Sequence, residues 1–176
     1  LADRQAAGEE SAILYFYLGR NHLALGHYAE AERAYRACLD DPDITWRLRA
    51  NAYHGLAECR MRQNDAEGAL ALAGESTRLF PHDRVSWAAA GRLYGTASRF
   101  ADAVHAFTRA LALKDYAGTE GIVMEMGDEI LENELAQAHA GQKNWPLAAT
   151  HFRRAIEGGM NIAAVFRELA RAELRA

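Results

Sequence analysis

Seven histidines (His22, His27, His54, His82, His105, His139 and His151) and two cysteines (Cys38 and Cys59) are the side chains best suited to bind a metal or act as nucleophiles. Their spacing argues against both roles. A catalytic zinc helix needs two histidines one turn apart with a glutamate between them, and a structural zinc site needs a Cys/His cluster; the sequence has neither. Asp40, Asp41 and Asp43 bring three carboxylates together, but they fall between expected helices. Asp43 is placed to cap the next helix by accepting from its free N–H groups. No strand is expected, so no glycine-rich phosphate loop can follow one. No nucleophile lies in a pattern with a base and an orienting group. The chain is therefore expected to be no enzyme, with no catalytic residue, metal or cofactor. Cys38 and Cys59 read as packed, reduced thiols. His22 and His139 read as inward-facing core or boundary residues.

What remains is the chemistry of recognition, carried by arginines, aromatic rings and amides, and it depends on the elements that present them. The chain has 176 residues, half of them hydrophobic, and only 3 prolines. Alanine is the commonest residue; it favours helix and lets helices approach closely. An all-α protein is expected. The net charge of −4, from 20 basic and 24 acidic residues without a block of either sign, does not suit nucleic-acid binding. The longest run of aliphatic and aromatic residues, Ile13 to Leu18, is far short of a membrane span. No basic segment followed by an apolar stretch opens the chain, so a cytoplasmic location without membrane contact is expected. The first residue is Leu, which reads as a part of a longer protein.

The sequence repeats. Tyr53, Leu56, Ala57, Arg60, Ala69 and Ala73 return as Trp87, Ala90, Gly91, Tyr94, Ala103 and Phe107, and 87 − 53 and 103 − 69 both give 34. An upstream unit carries Tyr15, Leu18, Gly19, His22, Ala31 and Tyr35, displaced by 53 − 15 = 38. A fourth carries Leu135, Ala136, His139, Ala148, Phe152 and Ala155, displaced by 135 − 90 = 45. Small residues at Gly19, Ala57, Gly91 and Ala136 pair with small residues at Ala31, Ala69, Ala103 and Ala148, so two helices can cross closely. The aromatics Tyr15, Tyr35, Tyr53, Trp87, Phe107 and Phe152 fill the space between units.

Both the period of 34 and the string "LGRNHLALGHYAEAERAYRACL" from Leu18 to Leu39 resemble the tetratricopeptide repeat family. The resemblance implies a right-handed α-solenoid of about four helical hairpins plus a C-terminal capping helix. The chain is then a single domain, 1–176, with units 10–41, 44–81, 84–114 and 120–158 and a terminal helix at 161–174. The helices are expected at about 10–25, 28–40, 44–63, 66–79, 84–97, 100–113, 120–141, 146–157 and 161–174. The extra residues lengthen 44–63 and 120–141 at their N-terminal ends. Ile122, Met126 and Ile130 make one apolar stripe on the latter. Asp65 and Asn144 are expected to cap the helices that follow them.

In such a stack the first helix of each unit lines a concave groove. The register assigns Phe16, Tyr17, Arg20 and Leu23 to it, then Asn51, His54, Glu58 and Arg62. Ala88, Arg92 and Thr96 follow, and last Asn133, Glu134 and Gln137. Rings and guanidinium groups are common interface anchors, and arginine grips a carboxylate with two hydrogen bonds. The expected function is a protein–protein interaction scaffold whose groove takes a peptide or protein segment with an acidic group or free carboxylate. Some family members clamp a chaperone's C-terminal carboxylate with a Lys, Asn, Asn, Lys, Arg set. Here Phe16, Arg20, Gly55, Val85 and Ala89 stand at those places, so that ligand is not expected.

A narrower resemblance covers the first two units. "YFYLGRNHLALGHYAEAERAYRACLD" and "ANAYHGLAECR" are similar to the helical tails of some bacterial family-2 glycosyltransferases. That implies a non-catalytic region docking an acceptor or partner behind a transferase domain. Homo-oligomerisation through the exposed apolar parts of the terminal helices is a further reading.

Overall fold

The computed structural model describes residues 2–113 and 127–176. Among the described residues the structure is all α-helical: α1 (Ala2–Ala24), α2 (Tyr28–Leu39), α3 (Trp46–Arg62), α4 (Ala66–Leu79), α5 (Arg84–Thr96), α6 (Phe100–Ala112), α7 (Asp128–Gly141), α8 (Trp145–Glu157) and α9 (Ala163–Glu173). Successive helices pair as hairpins, α1 with α2, α3 with α4, α5 with α6 and α7 with α8. They form two compact units, Leu1–Pro81 and His82–Ala176.

The hairpin turn is the same device four times. Gly26, Asn64, Ser98 and Lys143 all have φ between 59° and 76°. The next residue in each turn donates its N–H five residues back: His27 to His22, Asp65 to Arg60, Arg99 to Tyr94 and Asn144 to His139, at 2.8–2.9 Å. These bonds satisfy the last carbonyls of the first helix and reverse the chain at once. The spacings 64 − 26 = 38, 98 − 64 = 34 and 143 − 98 = 45 repeat the sequence offsets.

Side chains fix the starts of three helices, α3, α4 and α5. Asp65 Oδ1 accepts from Gly68 N–H at 2.9 Å, as the sequence predicts. Asp83 accepts from Val85 and Ser86. Asp43 is not a cap. Thr45 takes that place, accepting from Leu48 N–H, while Asp43 donates its own N–H to Asp41 in a local turn. Asn144 stands at the N-cap of α8 without a side-chain cap bond. Ile156 and Ala155 accept from Gly159 and Met160 as the last hairpin ends, with Gly159 at φ 105°.

Two helix bounds differ from expectation. α1 begins at Ala2 rather than near residue 10, because Ala, Gln, Arg and Glu dominate that stretch and favour helix. α7 begins at Asp128, since Gly127 before it has an extended conformation. Residues 120–126 of the longer expected helix, with Ile122 and Met126, lie outside the described residues. By contrast, α3 is lengthened as expected. The repeat equivalent of Arg84 is position 84 − 34 = 50, and α3 starts four residues earlier, at Trp46.

In the first unit Tyr35 and Cys38 of α2 are buried against Ala12 and Phe16 of α1 and Ala52, Leu56 and Cys59 of α3. Burial pushes both thiols up to about 11, so they stay protonated and packed. In the second unit Phe107 and Ala110 of α6 meet Leu131 and Leu135 of α7, and Phe152 of α8 meets Val165 of α9. Tyr35, Phe107 and Phe152 fill space as the repeat implies, but Tyr15 is exposed on the outside of α1. The small positions prove tighter than small-on-small packing. A Cβ on Gly19 would lie 2.8 Å from the Tyr35 ring, and one on Gly91 2.6 Å from the Phe107 ring.

Candidate functional site

Each unit has an open recess between the first helices of neighbouring hairpins. In the first unit the Tyr35 ring lies against both Gly19 of α1 and Gly55 of α3, where a Cβ would be 2.8 and 2.2 Å away. That close approach opens the side chains beyond it onto a recess of about 580 Å³. Arg20, Glu58 and Arg62 supply its charge, and Leu23 and Tyr28 its apolar wall. The Arg20 guanidinium is held 5.9 Å from the Phe16 ring centre and 5.8 Å from that of Tyr17. Rings placed this way attract a cation and hold it out of random motion. Arg62 pairs with Glu58 at 3.2 Å across one helical turn, with both side chains about half exposed. An exposed pair of this kind is weak and readily exchanged for a ligand's carboxylate.

In the second unit the recess is about 400 Å³, between α5 and α7. Arg92, Glu134 and Gln137 meet the aromatic wall of Phe100 and Phe107 there. Burial raises the Glu134 carboxyl above its ordinary value, and the nearby Arg92 charge opposes that rise. The two recesses therefore differ: the first carries two arginines and one carboxylate, the second one of each.

The structure brings together only part of the expected groove. Arg20, Leu23, Glu58 and Arg62 share the first recess, and Arg92, Thr96, Glu134 and Gln137 the second. Phe16 is not a groove residue; it is buried in the core and packs on Tyr35. Its repeat position is inward because Ala88, two units on, is also fully buried. His54 at that position is half-buried and meets the Ser76 hydroxyl of α4 at 3.3 Å, a bond within its own hairpin. Tyr17, Asn51 and Asn133 are half-buried and line neither recess. The open position follows the small residue: Arg20 after Gly19, Glu58 after Ala57, Arg92 after Gly91 and Gln137 after Ala136. Sequence reasoning missed Tyr28, Phe100 and Phe107 as walls, since all three belong to second helices. The φ > 0 turn at Gly26, which brings Tyr28 back beside α1, was the available signal.

Other reactive groups lie apart from both recesses. His139 is buried and stacks on His151 at 5.3 Å with rings 10° from parallel, and His151 meets Glu132 at 2.6 Å. No group of three metal-binding side chains occurs among the described residues. No helix among them is long and apolar enough to cross a membrane.

The family model for the tetratricopeptide repeat matches residues 16–84. No curated protein matches the sequence. Among solved structures, the chain superposes on Pseudomonas aeruginosa PilF with a TM-score of 0.78 and 16% identity, over 96% of this chain and 70% of that one. A MamA protein gives 0.70 and 16%, over 94% of this chain and 82% of that one. A chain of the APC/C hetero-tetramer Cut9–Hcn1 gives 0.69 and 18%; this chain is covered over 92% and spans only 30% of that one. At these identities the likeness is one of fold. Residues 16–84 are thus tetratricopeptide repeats, and the chain as a whole has the all-α helical-repeat fold built from such hairpins.

Proposed function

We propose that the chain is a non-catalytic protein–protein interaction module whose recesses each take a short segment of a partner protein. The observation that carries this reading is the recurrent open position. Arg20, Glu58, Arg92 and Gln137, each one place after a small residue, line the recesses, and Arg62, one turn beyond Glu58, adds a second arginine to the first recess beside its apolar wall. Such a site selects an acidic group: guanidinium groups bind a carboxylate through paired hydrogen bonds, while Leu23 and Tyr28 accept the apolar part of the segment. The second recess, where Glu134 accompanies Arg92, suits a polar or less acidic segment.

Fluorescence titration with a labelled peptide ending in Asp and Glu residues and a free carboxylate tests this. Arg20→Ala with Arg62→Ala should weaken binding by about tenfold or more, the scale of one charge-assisted pair. Arg92→Ala should change it less. Unaltered affinity in the double variant, or no binding by the wild-type chain, would overturn the acidic-ligand reading.

A further inference from the structure

The two recesses stand at equivalent places in the repeat, and two of the differences between them bear on what each can hold. In the first, Gly55 of α3 lies against the Tyr35 ring. The offsets of 34 and 45 carry that position onto Glu134 of α7, which lines the second. Leu23, an apolar wall of the first, becomes Gly95 of α5 by the offsets of 38 and 34. A Cβ on Gly95 would meet nothing within 4 Å, so the space that Leu23 fills in the first recess is open in the second. The second recess has thus gained a carboxylate and lost a side chain.

Glu134 is half-buried, yet among the described residues no hydrogen bond or ion pair engages its carboxylate, and only the charge of Arg92 acts on it. Arg92 is exposed, so water damps that charge, and burial still holds the Glu134 carboxyl above its ordinary value. A carboxylate drawn out of water without a donor is costly; a ligand that brings both a donor and a positive charge removes that cost.

An apolar stem finds its surface in the same recess. The Phe107 ring packs where a Cβ on Gly91 would lie 2.6 Å away, and the Phe100 ring where a Cβ on Gly141 would lie 2.5 Å away. Both rings line the recess. Phenyl rings attract a cation and cover a methylene chain. Gln137, three residues past Glu134 on the same face of α7, adds an amide oxygen. An acidic side chain here would meet repulsion from Glu134, and an apolar one would desolvate it further. A lysine does neither, and its compact ammonium can turn three donors toward both oxygen-bearing groups.

We propose that the second recess takes a lysine side chain of the partner segment, with its ammonium on Glu134 and Gln137 and its methylene stem along Phe100 and Phe107. This rests on the reading of the chain as an interaction module and assigns the second recess a charge preference opposite to that of the first.

NMR titration of the isotope-labelled whole chain with Nα-acetyl-lysine amide tests the proposal. The backbone signals of Thr96 and Gln137 should shift saturably, and those of Arg20 and Arg62 should not. Nε-acetylation of the ligand keeps the stem but removes the charge, and should weaken binding by about tenfold or more. Glu134→Gln should weaken it equally. Gly95→Leu, which refills the open space, should abolish the shifts while the helical circular-dichroism spectrum stays unchanged. Arg92→Gln should tighten binding, because a guanidinium opposes a second cation. No saturable shift in the wild-type chain, binding indifferent to Nε-acetylation, to Glu134→Gln or to Gly95→Leu, or weaker binding in Arg92→Gln would each overturn it. The acidic-peptide titration reads the first recess separately. A chain that binds that peptide but not the lysine keeps the interaction-module reading and loses this one.

Discussion

Arg60 of α3 reaches back to Glu32 of α2 with Nη2 2.6 Å from Oε1, while its Nη1 holds Asp65, the cap of α4, at 2.9 Å. One guanidinium thus ties three consecutive helices. Glu32 is nearly buried, its Oε1 also forms an ion pair with Arg36 at 2.6 Å, and its Oε2 accepts from Gln63 at 3.5 Å. Glu32→Ala should destabilise the chain by ~1–3 kcal/mol, the range for losing hydrogen bonds to a charged group, read as a lower urea midpoint. Arg60→Met should cost a similar amount, and the double variant less than the sum of the two.

The same cluster predicts an acid-sensitive stability. The N–H of Gly68 and then the Arg60 guanidinium hold the Asp65 carboxyl below its ordinary value. Unfolded, Asp65 binds protons at higher pH than folded, so its contribution is complete above the ordinary carboxylate range. It is lost as pH falls through the lowered folded value. Melting temperature followed downward from pH 6 should fall more gently in Asp65→Asn than in the wild-type chain, from a lower starting point.

A second titration acts nearer neutrality. Burial, and then the neighbouring His151, lower the His139 pKa from 6.5. Folding therefore favours the neutral ring. The stability gained is complete above about 6.5 and is lost as pH drops below it, because the unfolded chain takes up the proton first. His139→Phe should flatten the melting profile between neutrality and pH 5 without altering binding at the recesses.

How far the sequence reveals all this depends on what each residue must satisfy locally. The hairpins follow from a period, and even the four extra residues of α3 are visible as an offset of 38 in place of 34. Asp65 is legible as a cap because its partner is three residues away. Asp43 is not, since Thr45 competes for the same free N–H groups and the choice rests on backbone angles. The recess is half legible. Arg20 and Arg92 follow from register, but Phe16 and His54 share a position that the close Tyr35 and Ser76 contacts turn inward. The Glu32–Arg60 tie spans 28 residues and two helices, and no local pattern announces it.

Two glycines of α5 make opposite predictions. A Cβ on Gly91 would stand 2.6 Å from the Phe107 ring, whose own burial leaves it little room to shift. Gly91→Ala should therefore destabilise, and Gly91→Leu should cost ~1–3 kcal/mol or more by overpacking. A Cβ on Gly95, one turn later, meets nothing within 4 Å. Gly95→Ala should instead gain up to ~0.5–1 kcal/mol from helix propensity, tempered by its place in the last turn. Thermal melts of the two alanine variants should move in opposite directions.

The last hairpin turn offers a gain at a single position. Lys143 holds φ 60°, the conformation Gly26 supplies in the first turn at 76°. The conformation is required, because it lets Asn144 donate to His139 at 2.9 Å and start α8 at once. A side chain with a Cβ pays for it in strain, whereas glycine does not. Glycine also frees the unfolded chain, which offsets part of the relief. Lys143→Gly should raise stability by ~0.5–1 kcal/mol, seen as a higher urea midpoint with an unchanged slope. Lys143→Val, branched at Cβ, should lower it. A loss of stability in Lys143→Gly would mean that the lysine side chain contributes more to this turn than its backbone costs.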